Sequence, residues 1–372
     1  MNVIVIGAGF SGATVAYLLK NNGHKVTVLE TGDHPGGGCW TRHHGKYPYT
    51  IGPRIFYTPN KKTFQFLNGF VELRQFDTKT CSYVEQDDQI YNYPLQYADL
   101  VRMPDAQKIY KELEGCKKSD FDMKDFETYW ITAIGKTLYN KFVNEYSKKM
   151  WGLFTNKELS ANFAWINRGT PIKDGDTRLF GDQFQGYPHD LRGYNSYFEQ
   201  VLSDISVHYN ASVNSVEKDE RGFIVSTKAG ETFTGDILIN TGHTDEIFNY
   251  RYGELQFSGR DIIPVVLPTK RPFGDKDYHW IHYSGDEAYT RVVDFNKVTG
   301  FESENSLITL EVPSNSNRLY PKQTQPELKR YEQYVADFPE NYYAIGRLGK
   351  FKYTGISDAI EQAHDLVEEI LT

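Results

Sequence analysis

The start of the chain consists of a short apolar run, a segment with helical spacing of its apolar residues, and a second short apolar run. Residues 3–6 form a β-branched run that suits a strand buried on both faces. Apolar side chains then recur at helical spacing until Asn21, Asn22 and Gly23 end the segment, and residues 25–30 give a second strand. The pattern predicts a strand, a helix and a second strand at the start of the chain.

Glycines occupy the turn between this first strand and the helix in the spacing GxGxxG. Gly7 would make the tight turn, Gly9 would let a pyrophosphate approach the backbone, and Gly12 would let helix and strand pack closely. Glu30 ends the second strand, where a carboxylate accepts hydrogen bonds from ribose hydroxyls. Strand, glycines, helix and acid in this order predict a dinucleotide-binding unit.

Three further segments favour FAD over NAD as the dinucleotide. The glycine cluster at residues 32–38 resembles the extension found in the large FAD family of amine oxidases, desaturases and sugar mutases. Residues 236–242 resemble that family's second strand motif, and residues 343–349 lead into an amphipathic helix, residues 358–371, whose N-terminus would point toward the flavin. No second GxGxxG follows, so we expect an external electron donor, such as NAD(P)H or a reductase, to reduce the flavin.

The whole pattern predicts an α/β fold: a Rossmann-like FAD-binding domain with an inserted helical domain and an antiparallel β-sheet domain. The expected boundaries are 1–75, 189–245 and 336–372 for the FAD-binding domain, 96–188 for the helical domain, and 76–95 and 246–335 for the sheet domain. Residues 167–188 carry glycines, prolines and charges without helical period, and we expect them to form a mobile lid.

Composition narrows the partners of this fold. The net charge of −8 offers no basic field for nucleic acid. Three scattered cysteines are too few for a disulfide framework or a zinc site, so no metal is expected. No apolar run approaches the roughly 18 residues that cross a bilayer, so we expect no membrane insertion and a cytoplasmic location.

Seven blocks, in order along the chain, resemble the UDP-galactopyranose mutase family. They are residues 52–58 (GPRIFYT), 93–96 (YPLQ), 134–152 (IGK…WG), 184–188 (FQGYP), 288–291 (AYTR), 319–321 (LYP) and 346–353 (GRLG…Y). The resemblance implies a flavin-dependent isomerase, an intramolecular transferase that interconverts pyranose and furanose forms of a nucleoside-diphosphate sugar. It implies UDP-galactose or a substituted sugar as substrate, a galactofuranose-like product for surface polysaccharide biosynthesis, and a homodimer.

The resemblance also implies a mechanism and a set of residues. Reduced FAD would attack the anomeric carbon through N5, giving a covalent flavin–sugar intermediate. Arg291 would neutralise the leaving diphosphate, Tyr320 and Tyr353 would donate hydroxyl protons to it, and Arg54 would act beside the flavin; these four are the expected catalytic residues. The expected cofactor-binding residues are Gly7, Gly9, Phe10, Ser11, Gly12, Glu30, Gly37, Gly38, Pro53, Arg54, Ile55, Gly346, Arg347, Gly355 and Ile356. The expected substrate-binding residues are Tyr146, Trp151, Arg168, Lys173, Tyr187, Arg291, Tyr320 and Tyr353, with Trp151 stacking on a base or sugar face.

The sequence departs from the family pattern at the sugar end of the expected site. Arg54 and Tyr57 replace the two histidines of the family's GxHIFHT block, and Gly355 replaces an acid. The family's lid arginine has no exact counterpart, and either Arg168 or Lys173 could take its role. Because the dinucleotide and diphosphate blocks persist, the changes indicate retained chemistry with an altered sugar specificity.

Two other interpretations remain open at this point. An FAD-dependent oxidase or desaturase of the amine-oxidase type would share the dinucleotide fold, would turn over oxygen or a quinone, and would not need diphosphate-binding tyrosines. A flavin-binding homologue without catalysis is the other, because Arg54, Tyr57 and Gly355 replace residues expected near the flavin ring. Trp151, Arg291 and the two tyrosines could also be ordinary core or surface residues.

Overall fold

The computed structural model describes residues 1–116, 123–161, 163 and 172–372. Its first sheet is built from five parallel strands. In spatial order they are Ser206–His208, Lys25–Leu29, Asn2–Ile6, Ile237–Asn240 and Tyr342–Ala344. The apolar runs at residues 3–6 and 237–239 are buried throughout because they lie inside the sheet and are covered on both faces.

Helices cover one face of this sheet and a small second sheet covers the other. The helices Phe10–Asn21, Asn195–Val201 and Ile356–Leu371 pack together on the first face. On the other face, the antiparallel strands Val213–Asp219, Gly222–Thr227 and Thr232–Gly235 bury Phe223 and Val225 against Ile4 and Ile6. This arrangement confirms the Rossmann-like class predicted from the first strand, helix and second strand.

A seven-stranded sheet forms the second layer of the molecule. Its strands are, in spatial order, Tyr320–Pro321, Phe257–Leu267, Ser306–Ser314, Arg291–Asp294, Trp280–Tyr283, Thr80–Val84 and Gln89–Tyr93. The expectation of a purely antiparallel sheet is corrected at one pair, because Trp280–Tyr283 runs parallel to Thr80–Val84. A parallel pair needs a long connection, and here most of the chain lies between the two strands.

Residues 246–335 also hold helices that the strand prediction missed. The helices in and around this range are Thr244–Ile247, Phe295–Thr299 and Gln325–Ala336. Gln325–Ala336 has proline in its first turn, where the missing amide proton costs no helical hydrogen bond. These helices do not decide where one domain ends and the next begins, so the division of the chain into three domains stays a prediction.

The helical segment lies beside the seven-stranded sheet. Its helices are Tyr97–Leu100, Ala106–Glu114, Phe126–Tyr139 and Glu145–Trp151, and the π-helical turn Asn140–Asn144 joins the last two. Lys141 in that turn pairs with Asp87 and Asp105, which ties the helices to the hairpin Thr80–Tyr93 of the sheet. The ion pairs fix the orientation of the helix that carries Tyr146 and Trp151.

The end of the segment predicted to be a mobile lid lies in a sheet, and its mobility stays a prediction. Phe184–Pro188 is the central strand of a three-stranded antiparallel sheet, between Phe56–Thr58 and Leu73–Gln75. Backbone hydrogen bonds on both sides hold it in place. Earlier in the segment, Ile172–Lys173 pairs with Leu95–Gln96, and residues 167–171 lie outside the described residues.

The remaining elements are short and complete the connections. They are the strands Arg42–His44 and Tyr47–Tyr49, the helices Lys61–Phe70 and Gly346–Gly349, and the 3₁₀ turns Gly37–Cys39, Glu85–Asp87 and Asn156–Glu158. Across the part of the chain that the structure describes, no helix has the length and apolar character needed to cross a membrane. In the same residues no group of three or more His, Cys, Asp or Glu side chains is placed to hold a metal ion.

Candidate active site

The glycine turn after the first strand has the geometry of a dinucleotide-binding turn. Gly7 has a φ of 95°, a left-handed conformation that favours glycine. A Cβ on Gly12 would lie 1.9 Å from the carbonyl oxygen of Gly7, whereas a Cβ on Gly9 would meet no atom within 4 Å. Gly12 is therefore required for packing within the chain, and Gly9 faces open space at the helix N-terminus, where an anion is stabilised.

The Glu30 carboxylate connects this turn to the following loop. Its Oε2 accepts a hydrogen bond from the Ala8 amide at 2.7 Å, and its Oε1 accepts one from the Gly32 amide at 2.8 Å. Each carboxylate oxygen has a second lone pair. Glu30 thus fixes the loop that carries Gly37. The predicted hydrogen bonds from a ribose would use the lone pairs of Glu30 that do not accept from the Ala8 and Gly32 amides.

Other predicted cofactor residues surround the same edge of the parallel sheet. A Cβ on Gly37 would meet no atom within 4 Å, and a Cβ on Gly346 would lie 2.5 Å from the Ser11 hydroxyl oxygen. Phe10 is the exception, because its ring packs on Tyr194 and Phe198 in the core, so only its backbone can serve a cofactor. The open edge, the helix N-terminus and the carboxylate together fit a dinucleotide.

Arg54 links the glycine loop to the aromatic residues of the seven-stranded sheet. Its Nε donates to the Gly38 carbonyl at 3.2 Å, and its Nη2 donates to the Tyr320 hydroxyl at 3.4 Å. The backbone of Arg54 has a φ of 44°, and the Tyr194 hydroxyl holds it there by donating to the Arg54 carbonyl at 2.8 Å. A side chain predicted to act beside the flavin therefore also reaches the expected diphosphate residues.

Tyr320 and Tyr353 form a stacked pair covered by guanidinium groups. Their ring centroids are 5.8 Å apart with an interplanar angle of 16°. Arg347 lies over both rings, at 4.9 Å from the centroid of Tyr320 and 4.8 Å from that of Tyr353. Arg260 lies 5.3 Å from the Tyr320 centroid on the strand Phe257–Leu267.

Arg291 supplies the fourth guanidinium group of this cluster. Its Nη2 donates to Glu311 Oε2 at 2.5 Å, across the strand pair in which these two residues are opposite each other. Burial opposes the charge of Arg291, but attraction to Glu311 outweighs it and raises the pKa of the guanidinium. A Cβ on Gly52 would lie 3.4 Å from Arg291 Nη2 and 4.0 Å from the Tyr320 hydroxyl, so the two residues meet at Gly52.

The cluster carries more positive charge than its own residues neutralise. Arg54, Arg260 and Arg347 lie around Tyr320, and Arg291 approaches it at Gly52. Among the described residues, Glu311, which is 1% exposed, is the carboxylate that pairs with one of these arginines. Arg260 is 3% exposed, and its Nε and Nη1 have no hydrogen-bond partner among the described residues. Buried donors without partners are costly, so the arrangement favours a multivalent anion as ligand.

Sequence reasoning missed Arg260 and Glu311. Both lie inside strands whose other residues are largely apolar or β-branched, and no family block was recognised there. The available signal was a charged residue within a predicted buried strand, which is rare unless the charge is paired or functional.

Two of the predicted substrate residues, Tyr146 and Trp151, pack beside this cluster. Tyr146 borders it, and its hydroxyl lies 3.2 Å from His282 Nδ1. Trp151 has no exposed surface and meets the rings of Tyr320 and Tyr353 edge-on, at 6.3 and 6.5 Å between centroids. The expected stacking of Trp151 on a substrate is therefore corrected, because this ring packs behind the tyrosine pair.

Two other predicted substrate residues, Tyr187 and Lys173, make contacts outside the cluster. Tyr187 is fully buried in the main core and packs edge-on against Tyr194, 5.5 Å between centroids, because the strand Phe184–Pro188 turns it inward. Lys173 Nζ donates to the Arg178 carbonyl at 3.3 Å. Arg168 lies outside the described residues.

Comparison with known proteins assigns this chain to a family. The family model described as UDP-galactopyranose mutase matches residues 141–353, which is more than half of the chain and includes Arg291, Tyr320 and Tyr353. The chain belongs to the UDP-galactopyranose mutase family. A model described as an NAD(P)-binding Rossmann-like domain matches residues 5–70, where the glycine turn lies.

Individual relatives of the UDP-galactopyranose mutase family match along nearly the full length. The dTDP-fucopyranose mutase of Escherichia coli is 27% identical over 97% of this chain and 96% of its own length. A probable UDP-galactopyranose mutase of Klebsiella pneumoniae is 24% identical over 100% of this chain and 95% of its own. The crystal structure of a reduced UDP-galactopyranose mutase superposes with a TM-score of 0.84 at 15% identity, covering 100% of this chain and 95% of that one, and so shares its fold.

Membership of the UDP-galactopyranose mutase family confirms the predicted enzyme class, an isomerase that works on nucleotide sugars as a mutase. The family and the Rossmann-like match also imply a flavin cofactor, and the glycine edge described above fits one.

Proposed function

We propose that this protein interconverts the pyranose and furanose forms of a nucleoside-diphosphate sugar, with FAD bound in its reduced form. The observation that carries the proposal is the excess of buried and partly buried guanidinium groups around Tyr320, beside an edge that fits a dinucleotide. A diphosphate matches this excess, because its two charges accept from several arginine donors at once.

The residues of the cluster have separable tasks in such a reaction. Arg260, Arg291 and Arg347 hold and neutralise the leaving diphosphate, and the hydroxyls of Tyr320 and Tyr353 donate to it. Arg54 lies between Gly38 on the cofactor side and Tyr320 on the diphosphate side, so it contacts the reacting centre. Gly7, Gly9, Gly12, Glu30 and Gly37 would hold FAD, which when reduced supplies a nucleophilic N5 to the anomeric carbon through a covalent route.

Two sugars are the first candidates for the substrate. The relatives are named as mutases of dTDP-fucopyranose and of UDP-galactopyranose. We propose one of these, or a substituted sugar whose substituent Arg54 contacts, with the furanose product used in surface glycan assembly. The reducing electrons would come from NAD(P)H or a reductase, and the protein would act as a cytoplasmic homodimer.

The decisive experiment incubates dithionite-reduced protein with a panel of UDP-, dTDP- and GDP-sugars and follows the anomeric protons by NMR. We expect furanose signals to grow from one member of the panel, with no net oxidation, and no conversion by the oxidised protein. Oxygen consumption with an amine or other reduced substrate would instead support an oxidase. Flavin-loaded, reduced protein that converts no sugar in the panel would contradict the proposal.

The affinity for a nucleoside diphosphate should depend on pH through Tyr320. Burial by itself would raise the pKa of Tyr320. The positive charges of Arg54, Arg347 and Arg260 outweigh burial and lower this pKa to about 8. Below this pH the neutral hydroxyl donates and the cluster keeps its full positive charge; above it, the tyrosinate cancels one charge and must regain a proton before the diphosphate binds. We expect affinity for UDP or dTDP to fall by about tenfold per pH unit above 8, measured by isothermal titration calorimetry.

Tyr320→Phe is the matched control for this titration, because it keeps the ring that stacks on Tyr353 and removes the hydroxyl. Its affinity should be lower at neutral pH and should show no break near pH 8. The same break in Tyr320→Phe would assign the titration to another group.

A further inference from the structure

A hydrogen-bonded chain of three side chains leads from the seven-stranded sheet to Tyr146. The Trp280 Nε1 donates to His282 Nε2 at 3.0 Å. An indole nitrogen can only donate, so His282 Nε2 must accept and carries no proton. The neutral imidazole then has its proton on Nδ1, which lies 3.2 Å from the Tyr146 hydroxyl oxygen. His282 therefore donates to Tyr146, and the hydroxyl proton of Tyr146 points away from His282.

Tyr146 lies beside the charged cluster, because the imidazole that it contacts is opposite Arg291 on the neighbouring strand. The residue is buried on the helix Glu145–Trp151, and its titration responds to the nearby charges of Arg291, Arg260 and Glu311. Burial raises the pKa of Tyr146 to about 12, so the hydroxyl is a neutral donor at physiological pH.

Trp280 connects the same chain to Arg291. The guanidinium of Arg291 lies 5.5 Å from the Trp280 ring, and Arg291 is opposite His282 on the neighbouring strand. The Trp280 indole thus fixes the orientation of the His282 imidazole. The same ring also lies beside the Arg291 guanidinium, which in the proposed function binds the diphosphate. Two adjacent strands therefore set the orientation of a donor on a separate helix.

We propose that His282 is a positioning residue, which orients the Tyr146 hydroxyl as a hydrogen-bond donor to the bound nucleoside-diphosphate sugar. This inference rests on the proposed function, because it assumes that a nucleotide sugar occupies the cluster. His282 itself contacts Tyr146 and Trp280, so its effect on the substrate passes through the tyrosine.

Two substitutions of similar size distinguish the roles of the two ring nitrogens of His282. In His282→Asn the side-chain amide takes the place of Nδ1 and can still donate to Tyr146. In His282→Gln the amide reaches the place of Nε2, accepts from Trp280, and no longer donates to Tyr146 from the place of Nδ1. Both remove an imidazole from the same partly buried position, so a purely structural role would affect the two variants alike.

The test measures the dissociation constants of UDP and dTDP by calorimetry, using the flavin-loaded protein, together with kcat, KM and the thermal midpoint. We expect His282→Gln to bind the preferred nucleotide about three- to tenfold more weakly, the effect of one hydrogen bond, with a raised KM and little change in kcat. His282→Asn should stay within about twofold of wild type. Tyr146→Phe should match His282→Gln, and the double variant Tyr146→Phe/His282→Gln should lose no more than either single change.

Equal losses in His282→Asn and His282→Gln, or additive losses in the double variant, would overturn the positioning role. Failure of the proposed function has a different signature, because wild-type protein would then bind neither UDP nor dTDP. Wild-type binding with no difference between His282→Gln and wild type would refute only the role of His282.

Discussion

Replacing Arg291 with methionine is expected to reduce mutase turnover by about two to three orders of magnitude, the usual cost of removing one charged or donor group that stabilises a leaving oxyanion. The Arg291 guanidinium lies over Trp280 and faces the space between Gly52 and the Tyr320 hydroxyl. We expect no other guanidinium of the cluster to take its place in that space. The measurement is the initial rate of furanose formation by reduced protein with the sugar found in the panel.

The same substitution should also destabilise the fold. It leaves Glu311 buried without its ion-pair partner, and a broken buried pair typically costs about 3–5 kcal/mol. The double variant Arg291→Met/Glu311→Gln removes both charges and should recover most of the lost stability, measured by chemical denaturation, but none of the activity. Full turnover in folded Arg291→Met would show that the diphosphate is held elsewhere.

Substitution of two glycines in one turn should have opposite consequences for folding and for flavin binding. Gly12→Ala is expected to yield no stable protein, because its Cβ would lie 1.9 Å from the Gly7 carbonyl oxygen and backbone cannot rotate away as a side chain would. The cost should exceed the roughly 1–3 kcal/mol of ordinary overpacking.

Gly9→Ala is the matched variant and should fold normally. Its Cβ meets no atom within 4 Å, and its backbone, at φ −72° and ψ −175°, suits alanine. The methyl group would stand where a cofactor diphosphate approaches the helix N-terminus, so we expect flavin affinity to fall by more than about tenfold. Flavin absorbance after reconstitution measures the loss, and the thermal midpoint of the flavin-free protein measures folding. Yellow, fully loaded Gly9→Ala protein would place the cofactor away from this turn.

The local sequence pattern was sufficient to predict the helices and strands that depend on residues close together in the chain. The strand Asn2–Ile6, the helix Phe10–Asn21 and the strand Lys25–Leu29 lie where periodicity and glycine spacing placed them. The C-terminal helix was predicted from residue 358 and begins at Ile356, where Asp358 accepts from the Gly355 amide at 2.6 Å. Burial period, turn glycines and caps are properties of neighbouring residues, so a sequence reports them directly.

Orientation of side chains was harder to predict than their position in the chain. Trp151 and Tyr187 were expected to face a substrate, and both are buried behind other rings. An aromatic residue has the same sequence signature in a core and in a binding site, because both environments favour burial of its ring. Only the packing of the neighbouring elements distinguishes the two.

The sequence by itself determined the parallel dinucleotide sheet, the family blocks and the tyrosine and arginine residues that the family pattern contains. Tertiary structure alone decided that Arg260 and Glu311 join them, that Arg54 reaches Tyr320, and that His282 meets Tyr146. The physical reason is tertiary packing, and for Glu311 and His282 it is strand register. Each is opposite Arg291 only because backbone hydrogen bonds fix one alignment of the seven-stranded sheet, and a shift of one residue would turn these side chains to the other face.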